Sequence, residues 1–219
     1  MKRTAENIGG EPHVLTRRSA SKRTAILDAA RAVFLDNGYL GASMDAVAAA
    51  AGASKVTVYN HFSDKQQLFI AVVTNAIDEA EERSRPLVDE LAASDNVEQD
   101  LRAFARRHIT LVTRPHLIRM RRMIIAEANR FPELAAAWHR AGPERAHTRL
   151  AEQIERLALR GLLHVADPLL AAQHLNYLIL SVPVNEAMFT GRDTPYNRTQ
   201  LHHYADEAIR VFMAAYGTA

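Results

Sequence analysis

The sequence predicts an all-α protein with two parts, a three-helix head at the N-terminus and a larger helical body behind it. Helix-forming residues dominate, with Ala, Leu and Arg the most frequent. Apolar residues recur at helical spacing, and no window alternates as a β-strand does. A pattern of helix caps and turns between Ser43 and Phe69 is typical of a helix-turn-helix.

The first predicted helix covers residues 22–37, and the helix-turn-helix follows it. Ser43 is suited to cap a short helix that ends at Gly52, because glycine takes the left-handed conformation after a helix without strain. Ser54 is suited to cap the next helix, and a capping box at Ser63 and Gln66 opens a third. In such motifs the second helix enters the DNA major groove, so double-stranded DNA is the predicted partner.

The segment from Gly52 to Phe62, with Lys65 and Leu68 after it, resembles the DNA-binding signature of TetR-family transcriptional regulators. The shared features are an Ala-Gly turn, a helix begun by Ser, Tyr-x-x-Phe at its end, and a Lys that opens the next helix. The resemblance covers about residues 22–69. It departs from the family at Val56, where many members carry a small residue. It implies a ligand-responsive regulator, most often a repressor.

The resemblance also implies roles for individual residues. It places four residues at the start of the second helix against base edges, and three residues against DNA phosphates. Arg23, at the N-terminal end of the first predicted helix, and Ser43 complete the predicted DNA-binding set. The base-edge residues are Ser54, Lys55, Val56 and Thr57; the phosphate contacts are Tyr59, His61 and Lys65.

Charge and composition divide the chain further. Residues 1–23 carry six Lys or Arg and two Glu, and such a basic segment beside a helix-turn-helix is typical of phosphate binding. A solvated, disordered tail is the plainer interpretation. We predict a basic disordered arm over residues 1–20, a DNA-binding domain over 21–66 and a ligand-binding and dimerisation domain over 67–219. Pro86 is expected to bend or end its helix, Pro183 to bend one, and Pro143 to begin one.

The last two predicted helices indicate a homodimer. Residues 169–189 are apolar almost all round, and the final helix carries a wide apolar stripe from Leu201 to Tyr216. Two such pairs would form a four-helix bundle, in which we expect Ile209 and Phe212 at the interface. A two-fold dimer predicts a palindromic operator.

A ligand pocket in the body is predicted because inward positions carry aromatic, Met or His residues where Leu would pack more simply. The alternative is a solid core with buried histidines. The predicted effector is small, apolar or aromatic, and not strongly anionic, because the arginines at 119–122 are expected to face outward. The candidate lining residues are Phe104, His108, Met120, Met123, Ile124, Trp138, His174 and Tyr177.

Other functions have little support in the sequence. The chain has no Cys, and no two of its ten histidines lie three or four residues apart, so neither a metal nor another cofactor is expected. No nucleophile elbow, P-loop or similar motif indicates an enzyme. No apolar stretch of about 18 residues indicates a membrane span, and the expected location is cytoplasmic. An architectural DNA-binding protein without an effector stays open as the alternative, and an enzyme in the body as a remote one.

Overall fold

The computed structural model describes residues 12–218, and these residues form ten α-helices, so the predicted all-α fold is confirmed. A short 3₁₀ turn follows the fourth helix, and a π-helical turn joins the seventh to the eighth. None of the helices in the described region is long and apolar enough to cross a membrane. The helices are α1 (Pro12–Gly41), α2 (Met44–Ala50), α3 (Lys55–His61), α4 (Lys65–Glu90), α5 (Val97–Val112), α6 (Pro115–Glu127), α7 (Pro132–His139), α8 (Arg145–Leu159), α9 (Pro168–Phe189) and α10 (Arg198–Tyr216).

The chain divides into two compact units, Met1–Val72 and Val73–Ala219. The division falls within α4, whereas the sequence placed it after residue 66. Each unit has its own buried apolar residues. In the head, Phe34, Tyr39 and Phe69 pack edge to face or stacked, with ring centroids 4.8–6.1 Å apart.

Helix α1 starts earlier than predicted. It begins at Pro12 and so replaces the disorder expected for residues 12–20. Proline is well suited to the first turn of a helix, and no glycine or further proline interrupts the chain before Gly38. Gly38, with a φ of 69°, marks the kink where the sequence predicted the helix to end. The rest of the predicted arm, residues 1–11, lies outside the described residues.

Neither of the prolines predicted inside a body helix ends that helix. α4 continues through Pro86 and α9 through Pro183. Pro86 is exposed, so water can bind the carbonyl group that loses its hydrogen bond. Pro143 does not begin a helix: it lies in the π-helical turn Arg140–Glu144, whose wider loop accommodates the proline ring.

The core of the body is built from α5, α8, α9 and α10. Ile209 and Phe212 are fully buried in this core. The expectation that they form an intermolecular interface is therefore corrected: the stripe of α10 packs inside its own body. α9 exposes several large apolar residues, among them Tyr177 and Val182, whereas α10 exposes Val211.

Candidate DNA-binding surface and body cavity

The turn between α2 and α3 has the geometry that the glycine predicts. Gly52 has a φ of 60°, in the left-handed region. The Gly52 N–H donates to the carbonyl of Ala49 (3.2 Å), and the Ala53 N–H donates to the carbonyl of Ala48 (3.0 Å). These two bonds satisfy the carbonyls at the end of α2 and turn the chain sharply into α3.

Both helices of the motif are capped by the serines that the sequence indicated. Ser43 Oγ accepts from the Ala46 N–H, and Ser54 Oγ accepts from the Thr57 N–H, each at 3.1 Å. Val58 is fully buried beneath α3, where it fixes the helix to the rest of the head. The opposite face of α3 is left to solvent.

That open face carries most of the residues predicted to contact DNA. Val56 is 68% exposed and Tyr59 is 43% exposed. Lys55 is exposed as well, and its Nζ lies 2.8 Å from an oxygen of Asp45. The hydrogen bond to Asp45 raises the pKa of Lys55. Because this pair is solvated, DNA can displace the carboxylate at little cost.

Other members of the predicted set have partners within the head. The hydroxyl groups of Ser54 and Thr57 lie 2.8 Å apart. The guanidinium group of Arg23 lies 5.2 Å from the ring centre of Phe62, which places this cation beside the C-terminal end of α3. His61, the last residue of α3, is partly exposed.

Lys65 has a structural role that the sequence did not indicate. Its Nζ donates to the carbonyls of Tyr39 (3.0 Å), Ala42 (3.1 Å) and Leu40 (3.4 Å). The same ammonium group lies 4.8 Å from the ring centre of Tyr39. Its donors are therefore already engaged by the end of α1, and phosphate would have to compete with three carbonyl groups.

The body contains a cavity of about 140 Å³ between α4, α5, α6, α7, α8 and α9. Its wall is mostly apolar, with a few polar groups set into it, which is the usual composition of a small-molecule site. The π-helical turn contributes part of the wall, and such turns are frequent at functional sites. The lining residues are Ile77, Ala80, Glu81, Arg85, Val88, Phe104, His108, Leu111, Val112, Leu117, Arg121, Trp138, Gly142, Pro143, Ala146, His147, Arg149, Leu150, Asn176 and Leu180.

The structure brings only part of the predicted pocket set to this cavity. Phe104, His108 and Trp138 line it. Met120 and Ile124 are buried away from it, and Met123 is partly buried outside its lining. His174 and Tyr177 lie on the exposed face of α9, which corrects the expectation that both face inward. His174 Nδ1 is 2.6 Å from the hydroxyl oxygen of Tyr216.

His108 is oriented by a neighbour in the wall. Its Nε2 lies 3.0 Å from Asn176 Oδ1. Since an amide oxygen only accepts, Nε2 carries the proton, and in the neutral ring Nδ1 is then an acceptor. Burial lowers the pKa of His108, and the charges of His147 and Arg121 act in the same direction. The ring also stacks on Phe104, with centroids 5.3 Å apart.

His147 is the clearest unsatisfied polar group of the wall. Its side chain is only 6% exposed, and its Nε2 has no hydrogen-bond partner. Burial lowers the pKa of His147, and the charge of His139 adds to the shift. A buried polar atom without a partner costs free energy, so a ligand that bonded it would gain that energy back.

Arg121 corrects the expectation that the arginines at 119–122 face outward. It lines the cavity, and its guanidinium carbon lies 5.5 Å from the ring centre of Trp138. Burial lowers its pKa, yet a guanidinium group stays protonated in proteins. No acidic side chain in the described region forms an ion pair with it. Arg122 by contrast binds the carbonyl of Ala187 in the last turn of α9 (3.0 Å) and Asp193 in the loop after it (2.8 Å).

Comparison with known proteins decides the family. Residues 26–72 match the model of the bacterial regulatory proteins of the tetR family. Residues 99–218, more than half of the chain, match the C-terminal domain of AefR-like transcriptional repressors. The chain belongs to the TetR family of transcriptional regulators. The resemblance seen in the sequence is thus confirmed, and the family is one of regulators, not of enzymes.

Individual relatives agree with this assignment. The transcriptional repressor AcnR of Corynebacterium diphtheriae is 32% identical over 124 residues, which are 56% of this chain and 62% of that protein. The transcriptional activator FasR of Mycolicibacterium smegmatis is 46% identical over 57 residues, 26% of each chain. The chain therefore spans less than two thirds of the length of these two relatives, one a repressor and the other an activator.

Solved structures match over almost the whole chain. A TetR-family regulator from Mesorhizobium loti is 40% identical with a TM-score of 0.87, over 92% of this chain and 99% of that one. The flavonoid-responsive regulator FrrA is 27% identical with a TM-score of 0.75, over 90% and 98%.

Sequence reasoning missed several polar residues of the cavity in this TetR-family body. His147 and Asn176 sit at inward positions of helices whose stripes are mostly apolar, and Arg121 lies within a run of cations. For the histidine and the asparagine, a polar residue at an inward position was the available signal. The sequence held no such signal for Arg121, because only the positions of the other helices show which of three neighbouring arginines points inward.

Proposed function

We propose that this TetR-family regulator binds a palindromic operator as a homodimer and that a small effector in the body cavity releases it. One observation carries the proposal: the body keeps an open cavity with an unpartnered His147 and an unpaired Arg121 in its wall. A body that served only to dimerise would gain stability by filling this space. The architectural alternative requires a packed body and is the weaker one.

The open face of α3 supports operator recognition. Lys55, Val56 and Tyr59 are exposed there, and the serine caps and buried Val58 hold the helix rigidly behind them. We expect the start of α3 to read base edges and Arg23, Tyr59 and His61 to lie near phosphates. A regulator of chromosomal operators works in the bacterial cytoplasm, so the proposal keeps the location predicted from the sequence.

The exposed face of α9 supports the homodimer. Leu170, Tyr177, Leu178 and Val182 repeat at helical spacing and are all exposed in one protomer. A contiguous apolar surface of this kind marks an interaction site. In a two-fold dimer the same face meets itself, and the two heads then read half-sites about 34–36 Å apart or a multiple of it.

Release by an effector requires a difference in affinity between two states. An effector that stabilises a body conformation with wrongly spaced heads lowers operator affinity, and by linkage the operator lowers effector affinity by the same factor. The match to AefR-like repressors favours repression, and the similarity to a flavonoid-responsive regulator favours a ring-containing effector.

Operator binding is tested first by selecting a binding site from random duplexes and footprinting it. The variant with Lys55→Ala, Thr57→Ala and Tyr59→Ala should lose this footprint, because each lost bidentate base contact is worth about 1–3 kcal/mol. Leu159→Ala, at an exposed position of α8, serves as the control. An unchanged footprint in the triple variant would refute the assignment.

Release is tested on the selected operator with a panel of aromatic compounds. Ala146→Phe should fill part of the cavity, since Ala146 belongs to its wall. We expect this variant to keep its operator affinity and to lose the response to any compound that releases the unmodified protein. If the response survives in the filled variant, the cavity is not the effector site.

A further inference from the structure

We infer that the effector is a small aromatic carboxylate, a monoanion whose carboxylate pairs with Arg121 while its ring lies against the apolar wall. This inference rests on the proposed function, because it takes the body cavity to be the effector site. The inference goes beyond the proposed function because it assigns the charge and the chemical class of the effector. The juxtaposition that carries it is a desolvated cation, an aromatic wall and two neutral histidines around one cavity.

The charge of the wall is unbalanced. Three arginines line the cavity, Arg85, Arg121 and Arg149, with Glu81 as the acidic residue among the lining side chains. Glu81 is already engaged, since it pairs with Arg149 and also with Arg145 (2.6 Å). The structure therefore offers no carboxylate to the other two cations in the described region.

Arg145 has a second acidic partner besides Glu81. Arg145 also pairs with Asp78 at 2.5 Å. Two acidic and two basic side chains thus neutralise one another along α4 and α8: Asp78, Glu81, Arg145 and Arg149. What remains at the wall is an excess of positive charge at Arg121 and Arg85.

Of these two cations, Arg121 is better suited to bind a carboxylate. Arg85 is exposed to solvent, whereas Arg121 is partly buried between α5, α7 and α9, and burial lowers its pKa. A buried charge without a counter-charge is costly, and a carboxylate removes that cost while accepting two parallel N–H bonds. The Trp138 ring lies 5.5 Å from the guanidinium carbon. An aromatic ring stacked on the face of a guanidinium group does not use the N–H donors in its plane, which can bind a carboxylate.

The rest of the wall selects for a ring with few polar substituents. Phe104, His108 and Trp138 present aromatic surfaces. His108 and His147 are neutral at physiological pH because burial lowers the pKa of both, so neither adds a second cation. His108 Nδ1 is an acceptor and therefore suits a hydroxyl group but not a second carboxylate, which favours a monoanion. His147 Nε2 can bond a hydroxyl group in either tautomer of its ring. A cavity of about 140 Å³ has room for one substituted ring.

The experiment uses the fluorescence of the full-length protein, because Trp138 is the single tryptophan of the chain. We would titrate three matched probes, hydrocinnamate, hydrocinnamyl alcohol and hydrocinnamylamine, which share a ring and a linker and differ in charge. Hydrocinnamate should bind at least about tenfold more tightly than the alcohol, as expected for a hydrogen-bonded ion pair. The amine should bind most weakly. Equal affinity for acid and alcohol, or no binding of the acid, would overturn the inference.

Three variants identify the receptor. Arg121→Gln should abolish the preference for the acid over the alcohol, and Arg121→Lys should retain part of it. Arg119→Gln is the matched control, since Arg119 lies on the same helix, is exposed and pairs with Asp193 at 3.5 Å. An unchanged preference in Arg121→Gln refutes the role of Arg121. Octanoate, an aliphatic acid of similar size, should bind more weakly than hydrocinnamate, and tighter binding would refute the aromatic class.

Operator release separates this inference from the proposed function. If hydrocinnamate binds in an Arg121-dependent way but leaves the selected operator bound, the anion receptor stands and the effector function fails for this site. If the operator is instead released by the alcohol and not by the acid, the cavity controls DNA binding and the inferred charge is wrong. Both readouts are taken on the same protein samples.

Discussion

Lys65 holds the end of α1 through its ammonium group, although sequence resemblance pointed to DNA phosphate. Three carbonyl groups accept from it, and Tyr39 covers one side. Local caps such as Ser43 and Ser54 were predictable because donor and acceptor lie three residues apart in sequence. The partners of Lys65 were not, since they lie more than twenty residues away and depend on how α1 and α4 pack.

Lys65→Met should therefore destabilise the head. Hydrogen bonds from a charged donor contribute about 1.5–3 kcal/mol, and we expect a loss of about 2 kcal/mol in the free energy of unfolding. Lys22→Met, at an exposed position of α1, is the control and should change stability by less than about 0.5 kcal/mol. Urea denaturation followed by circular dichroism measures both. Equal stability of the two variants would show that the carbonyl bonds add nothing.

The cavity histidines predict a dependence of stability on pH. Burial holds the pKa of His108 and His147 below the ordinary value of 6.5, and Arg121 opposes protonation of His108. Below pH 6.5 the unfolded chain binds protons that the folded chain does not, so stability is fully present above this value and falls as pH falls. The slope approaches about 1.4 kcal/mol per pH unit for each histidine.

Two variants check this dependence by denaturation between pH 5 and 8. The double variant His108→Gln, His147→Gln should show a flatter profile than the unmodified protein. His164→Gln replaces an exposed histidine and should leave the profile as it is. A profile of the double variant as steep as that of the unmodified protein would assign the pH dependence to other groups.

At the scale of helices, periodicity and caps predicted most elements of this fold. α10 begins at Arg198, as its periodicity predicts, and α5 begins at Val97 behind an asparagine cap, Asn96. The π-helical turn at Arg140–Glu144 was not predicted, because Gly-Pro normally marks a break between helices. The faces of α9 were also assigned wrongly in part. An almost wholly apolar helix has no polar side to orient it, and only its neighbours show that Leu175 is inward and Tyr177 outward.

The turn that joins α2 to α3 depends on one backbone conformation. Gly52 has a φ of 60°, and a Cβ atom added there would meet no atom within 4 Å. Gly52→Ala should therefore lose about 1–2 kcal/mol of stability through backbone strain alone, without any steric clash. Gly52→Asn should lose less, because asparagine tolerates the left-handed region. If the two variants are equally stable in thermal melts, strain at this position is not the cause.

At the scale of the whole molecule, α9 connects the cavity with the surface proposed for dimerisation. Asn176 and Leu180 line the cavity, and Tyr177 and Val182 are exposed on the other side of the same helix. The ring of Tyr177 also lies 5.9 Å from that of His147. In the dimer that we propose, a shift of α9 on effector binding would therefore reach the partner protomer directly. The effector cavity and the proposed dimer surface would then both act on α9, and this shared helix gives the population shift a physical basis.

The exposed face of α9 can be tested by charge. In the two-fold dimer that we propose, Leu178→Asp and Val182→Asp together would bury four uncompensated carboxylates at the interface, so the double variant should sediment as a monomer. Leu159→Asp places the same charge on an exposed apolar position of α8 and should leave the dimer intact. Ile209→Asp should unfold the body, since Ile209 is fully buried in its own core. A monomeric unmodified protein at micromolar concentration would refute this interface, and so would a dimeric double variant. A double variant that is monomeric and keeps its helicity should also bind the selected operator more weakly, because its two half-sites are no longer read together.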